Sequence, residues 1–349
     1  MKPRDRWLAL LNGKRPDRVP CDYWATKETT ERLLQDLGCP NERELWGLLG
    51  VDKCIHLAAR NPNATETDWH TPSLFSLWGI QTETADYGQG VYHEVTHPPL
   101  AWVEAPGDLK CCSWPNPDDW DTSGLVIQIR QWEDYPIMGA AFEPFYLYCR
   151  LRGMELALED LALRPELVDA LLEIIYEVHA AVARRSLEAA GGAIDFVYVA
   201  EDLGTQESLL MSPAAFRRFL KPWLARMMDL AHRYGAYVFH HDDGAIRPLI
   251  PELIEIGIDI LNPIQWRCPS MGREDLARDF GRRLVFHGGI DNQHTLPFGT
   301  PDEVRREVRD NIELFKGTRG YIVAPCHNIQ ANTPTENIVA LYKAVAEFR

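Results

Sequence analysis

Short apolar runs, each stopping on a cluster of polar residues, recur through the last third of this chain. Gly235–His240 runs into His241, Asp242, Asp243 and Gly244, and Ile258–Leu261 runs into Asn262, Pro263, Ile264 and Gln265. Arg283–Phe286 runs into His287, Gly288, Gly289, Ile290 and Asp291, and Gly320–Ala324 into Pro325, Cys326, His327 and Asn328. The segments between them carry the 3.6-residue apolar period of helices. A buried strand followed by a helix, with polar residues at the strand's C-terminal end, is how a β/α barrel presents an active site. The pattern predicts an α/β protein, a TIM (β/α)8 barrel, with its chemistry at the strand ends.

The rest of the chain fits the same plan. Pro3–Leu11 has helix-former composition, Arg18–Trp24 reads as a first strand, Thr26–Leu37 as a helix stopped by Gly38, and Val51–Leu57 as a second strand. Residues 60–120 break the rhythm, being rich in Pro, Gly, Thr and aromatics with short alternating runs such as Gly90–Thr96. They predict an irregular β excursion inserted into the barrel, as a lid or an oligomer contact. A helix over Leu125–Asp134 and a strand over Pro136–Phe142 follow, then helices over Glu155–Leu163 and Glu166–Ala190, the latter ended by Gly191 and Gly192. Ile194–Ala200 is a strand. Ser212 as N-cap and Pro213 at the first helical position start a helix through Arg233. Strands thus begin near 19, 52, 137, 194, 236, 258, 283 and 320, the barrel number, in one domain over residues 1–349. An open doubly wound sheet is the alternative, but no G-x-G-x-x-G or G-x-x-x-x-G-K-[ST] motif supports nucleotide binding.

Composition narrows the classes. The net charge of -15 argues against nucleic acid or an anionic membrane as partner. No apolar run approaches the ~20 residues of a membrane helix, and no apolar signal region follows Met1–Arg6, so a cytoplasmic protein is expected. The 8 scattered cysteines suggest a reducing compartment and buried thiols. No C-x-x-C pair occurs, so a closed structural zinc site is not expected.

The strand ends supply the candidate chemistry. His241 and Asp243 are two apart, so alternation points both to one side, where imidazole and carboxylate can hold a metal or transfer protons. Asp243 could instead cap a following helix, and His240 faces the other way. Glu201 and Asp202 are adjacent carboxylates of which one can face the site. Asn262 and Gln265 are neutral hydrogen-bonders suited to a polar substrate or to loop backbone. Asp291 is a strand-end acid open to a turn role or a catalytic one. His327, with Cys326 beside it, could ligate metal or orient substrate. Asp22 and Trp24 complete the ring.

These residues carry a resemblance. Arg4–Gly13 with Pro16–Pro20, Glu252–Gly257 with Asp259–Gln265, His287–Asp291, and the ending Cys326–Asn337 are similar to the superfamily of uroporphyrinogen decarboxylase and the cobalamin-dependent methyltransferases. The likeness runs from Pro3 almost to the C-terminus and implies a TIM barrel. The decarboxylase branch carries an arginine-rich loop after its first strand, whereas here Asp22–Lys27 offers an acid. His327 falls where that branch has its late histidine. Thiol-activating methyltransferases hold zinc with H-x-C and a late Cys. Here the first motif becomes His241, Asp242 and Asp243, and the late position His327.

The resemblance therefore implies methyl transfer between a small methylated substrate, such as a methyl ether, and a corrinoid carried by a partner protein. His241, Asp243 and His327 would hold zinc. Asp202 would act with them in catalysis, and Asp22, Trp24, Glu201, Asn262, Gln265 and Asp291 would bind substrate. A homo-oligomer is left open. The alternatives are a decarboxylase of the uroporphyrinogen type and a non-catalytic corrinoid- or tetrapyrrole-binding protein.

Overall fold

Alternation along the strands sorts their side chains into two layers, and the sheet curls so that one layer fills its inside. The structure, a computed structural model, describes residues 1–65, 75–86, 88 and 91–348. The strands are β1 (Ile55–Leu57), β2 (Gln81–Asp86), β3 (Val91–His97), β4 (Ile137–Phe142), β5 (Phe196–Ala200), β6 (Tyr237–His241), β7 (Ile260–Asn262), β8 (Val285–Ile290) and β9 (Gly320–Pro325). Seven of them form one parallel sheet in the order β1-β4-β5-β6-β7-β8-β9, the TIM barrel anticipated above. Phe196, Tyr198, Phe239, Ile260, Val285 and Ile322 pack inside it with Trp24 and Trp7. The intervening valines and leucines, such as Val197, Val199, Val238 and Leu261, face the helices. Helix Pro3–Leu11 supplies Trp7 to the inner cluster, with its indole Nε1 donating to the Asp52 carbonyl at 2.9 Å.

The eighth staff of the barrel differs from expectation. Residues over Arg18–Trp24 form no ladder; the segment makes isolated parallel bridges, Cys21 to Val323 and Ala25 to Ile329. It still closes the ring, because Asp22 N donates to Val323 O on one side and Asp52 N donates to Cys21 O on the other. Two features prevent a regular strand. Pro20 has no N–H to give. The Asp22 carboxylate also takes the backbone N–H groups of Tyr23 and Cys54, which a ladder would otherwise use.

Other departures have equally local causes. The helix expected from Ser212 begins as expected, with Ser212 Oγ accepting from Ala215 N, but passes through a π turn at Phe216–Leu220 before continuing as Lys221–Arg233. Pro222 lacks the N–H that an unbroken α-helix would need. Helices Glu42–Leu49 and Pro144–Arg152 had not been anticipated. Within residues 60–120, β2 and β3 pair only with each other, as an antiparallel hairpin outside the barrel sheet. Residues 66–74, 87, 89 and 90 of that excursion lie outside the described residues. Among the described residues no helix is long and apolar enough to cross a membrane.

Candidate active site

The parallel register sets Ala200, His241 and Asn262 side by side at the C-terminal ends of β5, β6 and β7. His241 faces inward, 6 % exposed, between the rings of Trp24 and Tyr198, whose centroids lie 5.8 and 6.0 Å from it at interplanar angles of 27°. Its Nδ1 meets Asn262 Oδ1 at 2.5 Å. Its Nε2 points to the mouth, 3.8 Å from Asp202 Oδ1 and 4.0 Å from Asp243 Oδ2. Asp243 Oδ2 lies 3.9 Å from His327 Nε2, on a side chain 44 % exposed. Ligand atoms of His241, Asp243 and His327 all fall within 4.8 Å of one another. The helix after β6 starts at Ile250, so Asp243 is not its cap, and among the described residues its Oδ1 is buried without a hydrogen-bond partner. The Asp243 carboxylate thus turns Oδ2 toward two imidazoles while its Oδ1 takes no proton donor, an arrangement that fits a cation at the carboxylate. The three residues therefore suit a divalent metal with one side open to the mouth.

Two glycines fix this geometry. A Cβ at Gly204 would lie 2.2 Å from the Asp243 carbonyl oxygen, and Gly244 has φ of +83° with its own Cβ direction 2.5 Å from Gly204 C. The loops carrying Asp202 and Asp243 thus pack backbone to backbone, which no other residue pair permits.

The field at the mouth is acidic. Burial works against charging His241, but Asp243, Asp202, the Asn262 hydrogen bond and Glu143 together raise its pKa above the ordinary imidazole value. Burial pushes the Glu143 carboxyl up to about 7, with Asp202 adding to the shift and His241 and Arg150 opposing it. Glu143 follows β4 directly, and the sequence reading passed it over. A bulge at Ala140, with φ of 57°, shifts the register between Met138 and Ala141. Met138 and Ala141 consequently both pack on the inner cluster, Phe142 turns out against Tyr176 and His179, and Glu143 comes round to the mouth side.

Several expected site residues are tied into the scaffold by hydrogen bonds. Glu201 is buried, and its two oxygens accept from Phe145 N at 2.9 Å and Tyr146 N at 3.0 Å, capping helix Pro144–Arg152. Asp291 is paired with Arg267 and accepts from Gln293 N at 2.8 Å and His294 N at 3.2 Å, the turn role. Gln265 Oε1 accepts from Gly244 N at 2.8 Å. Asp22 and Asn262 are fully buried beneath His241, and Trp24 donates its Nε1–H to Asp22 at 2.8 Å. The Cys326 thiol donates to Ile264 O at 3.2 Å, and burial drives its pKa well above the usual range, so it stands apart as a neutral thiol. Asp202, 53 % exposed, remains at the mouth. Arg247 lies in the turn before Ile250, paired outward with Asp279.

The family model described as Uroporphyrinogen decarboxylase (URO-D) matches residues 125–348, well over half of the chain. The chain belongs to the uroporphyrinogen decarboxylase family. A protein named uroporphyrinogen decarboxylase from Syntrophotalea carbinolica is 27% identical over 217 residues, covering 60% of this chain and 59% of that one. One of the same name from Anaeromyxobacter sp. is 32% identical over 136 residues, covering 39% of this chain and 37% of the relative. The matches thus span 59% or less of the length of these curated relatives. Among solved structures, a methyltransferase from Methanosarcina mazei superposes with a TM-score of 0.69 at 22% identity, over 100% of this chain and 99% of that one. At that identity the likeness is one of fold. The barrel brings His241, Asp243, His327 and Asp202 together at one mouth.

Proposed function

We propose that this family member is a corrinoid-dependent methyltransferase that moves a methyl group between a small methylated substrate, such as a methyl ether, and a corrinoid on a partner protein. The observation that carries this reading is the convergence of His241, Asp243 and His327, with the buried Asp243 Oδ1 left unpaired. These three residues would hold a zinc ion. When bound, the metal supplies Lewis acidity that stabilises charge on a leaving alkoxide or phenolate.

The chain's own groups do the rest. His241 gives its Nδ1 to Asn262 and keeps Nε2 toward the mouth. Asp202 stands where it can hold a polar group of the substrate. Glu143, half protonated near neutral pH, can hand a proton to the departing oxygen. Trp24 and Tyr198 shield the floor from water.

Decarboxylation of uroporphyrinogen is the second reading, favoured by the names of the curated relatives. Its substrate is a polyanion and needs several fixed cations. Here Arg267 is paired with Asp291 and Arg247 with Asp279, while acids surround His241. The deciding experiment assays zinc content, methylation of free cob(I)alamin across a panel of methyl ethers and amines, and uroporphyrinogen turnover. Methyl transfer that His241→Ala lowers by about 100-fold or more is expected, an effect of the size seen when metal ligand sets are disturbed. Efficient decarboxylation without methyl transfer reverses the assignment, and tight corrinoid binding without any turnover points to a binding protein.

A further inference from the structure

A continuous chain of hydrogen bonds runs from the candidate metal site into the barrel. His241 Nδ1 meets Asn262 Oδ1 at 2.5 Å, Asn262 Nδ2 meets His287 Nδ1 at 2.7 Å, and His287 Nε2 meets Asp22 Oδ2 at 3.2 Å. Asn262, His287 and Asp22 are each 0 % exposed. Every member but one can either donate or accept, so the direction of the chain is set by the member that cannot. That member is Asp22. Burial opposes its charge, but Lys53 at 3.7 Å from Oδ1, the His287 hydrogen bond and the Cys54 N–H outweigh burial and hold the carboxyl below its usual range.

An ionised carboxylate only accepts, so His287 donates from Nε2. Burial, opposed only in part by Asp22, keeps His287 below the ordinary imidazole value and hence neutral. Its Nδ1 is then a lone pair, and it accepts from the Asn262 amide N–H. The amide oxygen is thereby turned to His241, whose Nδ1 must carry the proton. In the neutral ring, Nε2, the nitrogen facing Asp202 and Asp243, is left as the lone pair, and the same acids raise the pH at which that neutral form appears. Run in the opposite sense, the same chain would put the proton on Nε2 and block that nitrogen as a ligand.

We propose that Asp22, His287 and Asn262 are positioning residues that set the direction of this chain, so that neutral His241 holds its proton on Nδ1 and presents Nε2 as the lone pair at the barrel mouth. The purpose assigned to the device rests on the metal reading above, but the tautomer itself does not.

Three proteins test it: Asp22→Asn, Asn262→Asp and the double variant. Asparagine at 22 can donate or accept, so the direction is no longer imposed. Aspartate at 262 accepts from both imidazoles and restores a proton on His241 Nδ1 whatever stands at 22. Zinc affinity, measured by chelator competition, should fall ~10- to 100-fold in Asp22→Asn, the range typical of lost outer-shell partners. It should recover in the double variant. The melting temperature should stay low in both, because the Trp24 hydrogen bond to Asp22 is disturbed either way. Recovery of affinity without recovery of stability is what a merely structural role cannot give. In the metal-free wild type at alkaline pH, 15N shifts should show His241 protonated on Nδ1. An Nε2 proton there, an unchanged affinity in Asp22→Asn, or a double variant no better than the single one overturns the proposal. Should wild type bind no zinc at all, the metal reading fails separately, and the 15N tautomer still decides for or against the chain's direction.

Discussion

Glu143→Gln tests the electrostatics of the mouth with a magnitude the structure supplies. The Glu143 carboxyl goes from 4.5 in the unfolded chain to about 7 in the fold, chiefly through burial and secondarily through Asp202. Its protonated form is therefore the one the fold favours. The stability it contributes is fully present below pH 4.5 and is lost progressively as the pH rises to about 7, where the folded group finally ionises. At about 1.4 kcal/mol per pH unit, that interval amounts to roughly 3 kcal/mol. Glutamine keeps the shape and never charges, so the variant should lack this slope. Around pH 8 it should be roughly 3 kcal/mol more stable than wild type, with a melting point higher by several degrees. Urea unfolding of both proteins in chelator, repeated across this range, gives the comparison. A bound cation would add its own field, which is why chelator is present. Parallel stability curves for the two proteins between pH 4.5 and 7 would refute the reasoning, because Glu143 would then titrate as an ordinary solvated acid.

Two further substitutions separate scaffold from site. Gly204→Ala forces a Cβ to within 2.2 Å of the Asp243 carbonyl, backbone that cannot swing away; it should cost about 1–3 kcal/mol in denaturant unfolding and weaken zinc binding, and normal values of both would show the loop contact to be slack. Glu201→Ala strips the cap from helix Pro144–Arg152 and leaves two N–H groups without their acceptor; it should cost about 1–3 kcal/mol yet leave zinc affinity unchanged, and a lost metal site would return Glu201 to the mouth.

The barrel was legible because its signal is periodic and repeated. Each run from β4 to β9 is a buried apolar stretch of the length a strand needs, and the polar cluster after it marks the mouth. The first staff was less legible because the Pro20 and Asp22 that break its ladder look, in sequence, like ordinary members of an apolar run. At the site, residue type was readable and partner was not. Gln265, Asp291 and Glu201 have the chemistry of substrate-binding groups, but backbone N–H groups claim them. Alternation could have separated one of these cases. With Phe196, Tyr198 and Ala200 inward, Asp202 shares their face and Glu201 does not. Glu143 was beyond that rule, since the bulge at Ala140 reverses the parity of β4 before its end.

The end of β6 shows how one strand serves both layers. His241 and Asp243 face the mouth, while His240 and Asp242 face the helices and are buried. The outward pair ties the neighbouring loop and strand together: His240 Nδ1 is bonded to Val199 O at 2.7 Å, and Asp242 Oδ1 accepts from Leu203 N at 2.7 Å. Burial moves the two in opposite directions, His240 down to about 3 and Asp242 well above the carboxylate range. Burial thus favours the neutral form of each, and His240 can donate to Val199. The inward pair is thereby left free at the mouth, on strand ends held in place by the outward one. Four consecutive polar residues, His240 to Asp243, are in this way divided by strand alternation into a buried clamp on the helix side and a pair that faces the mouth.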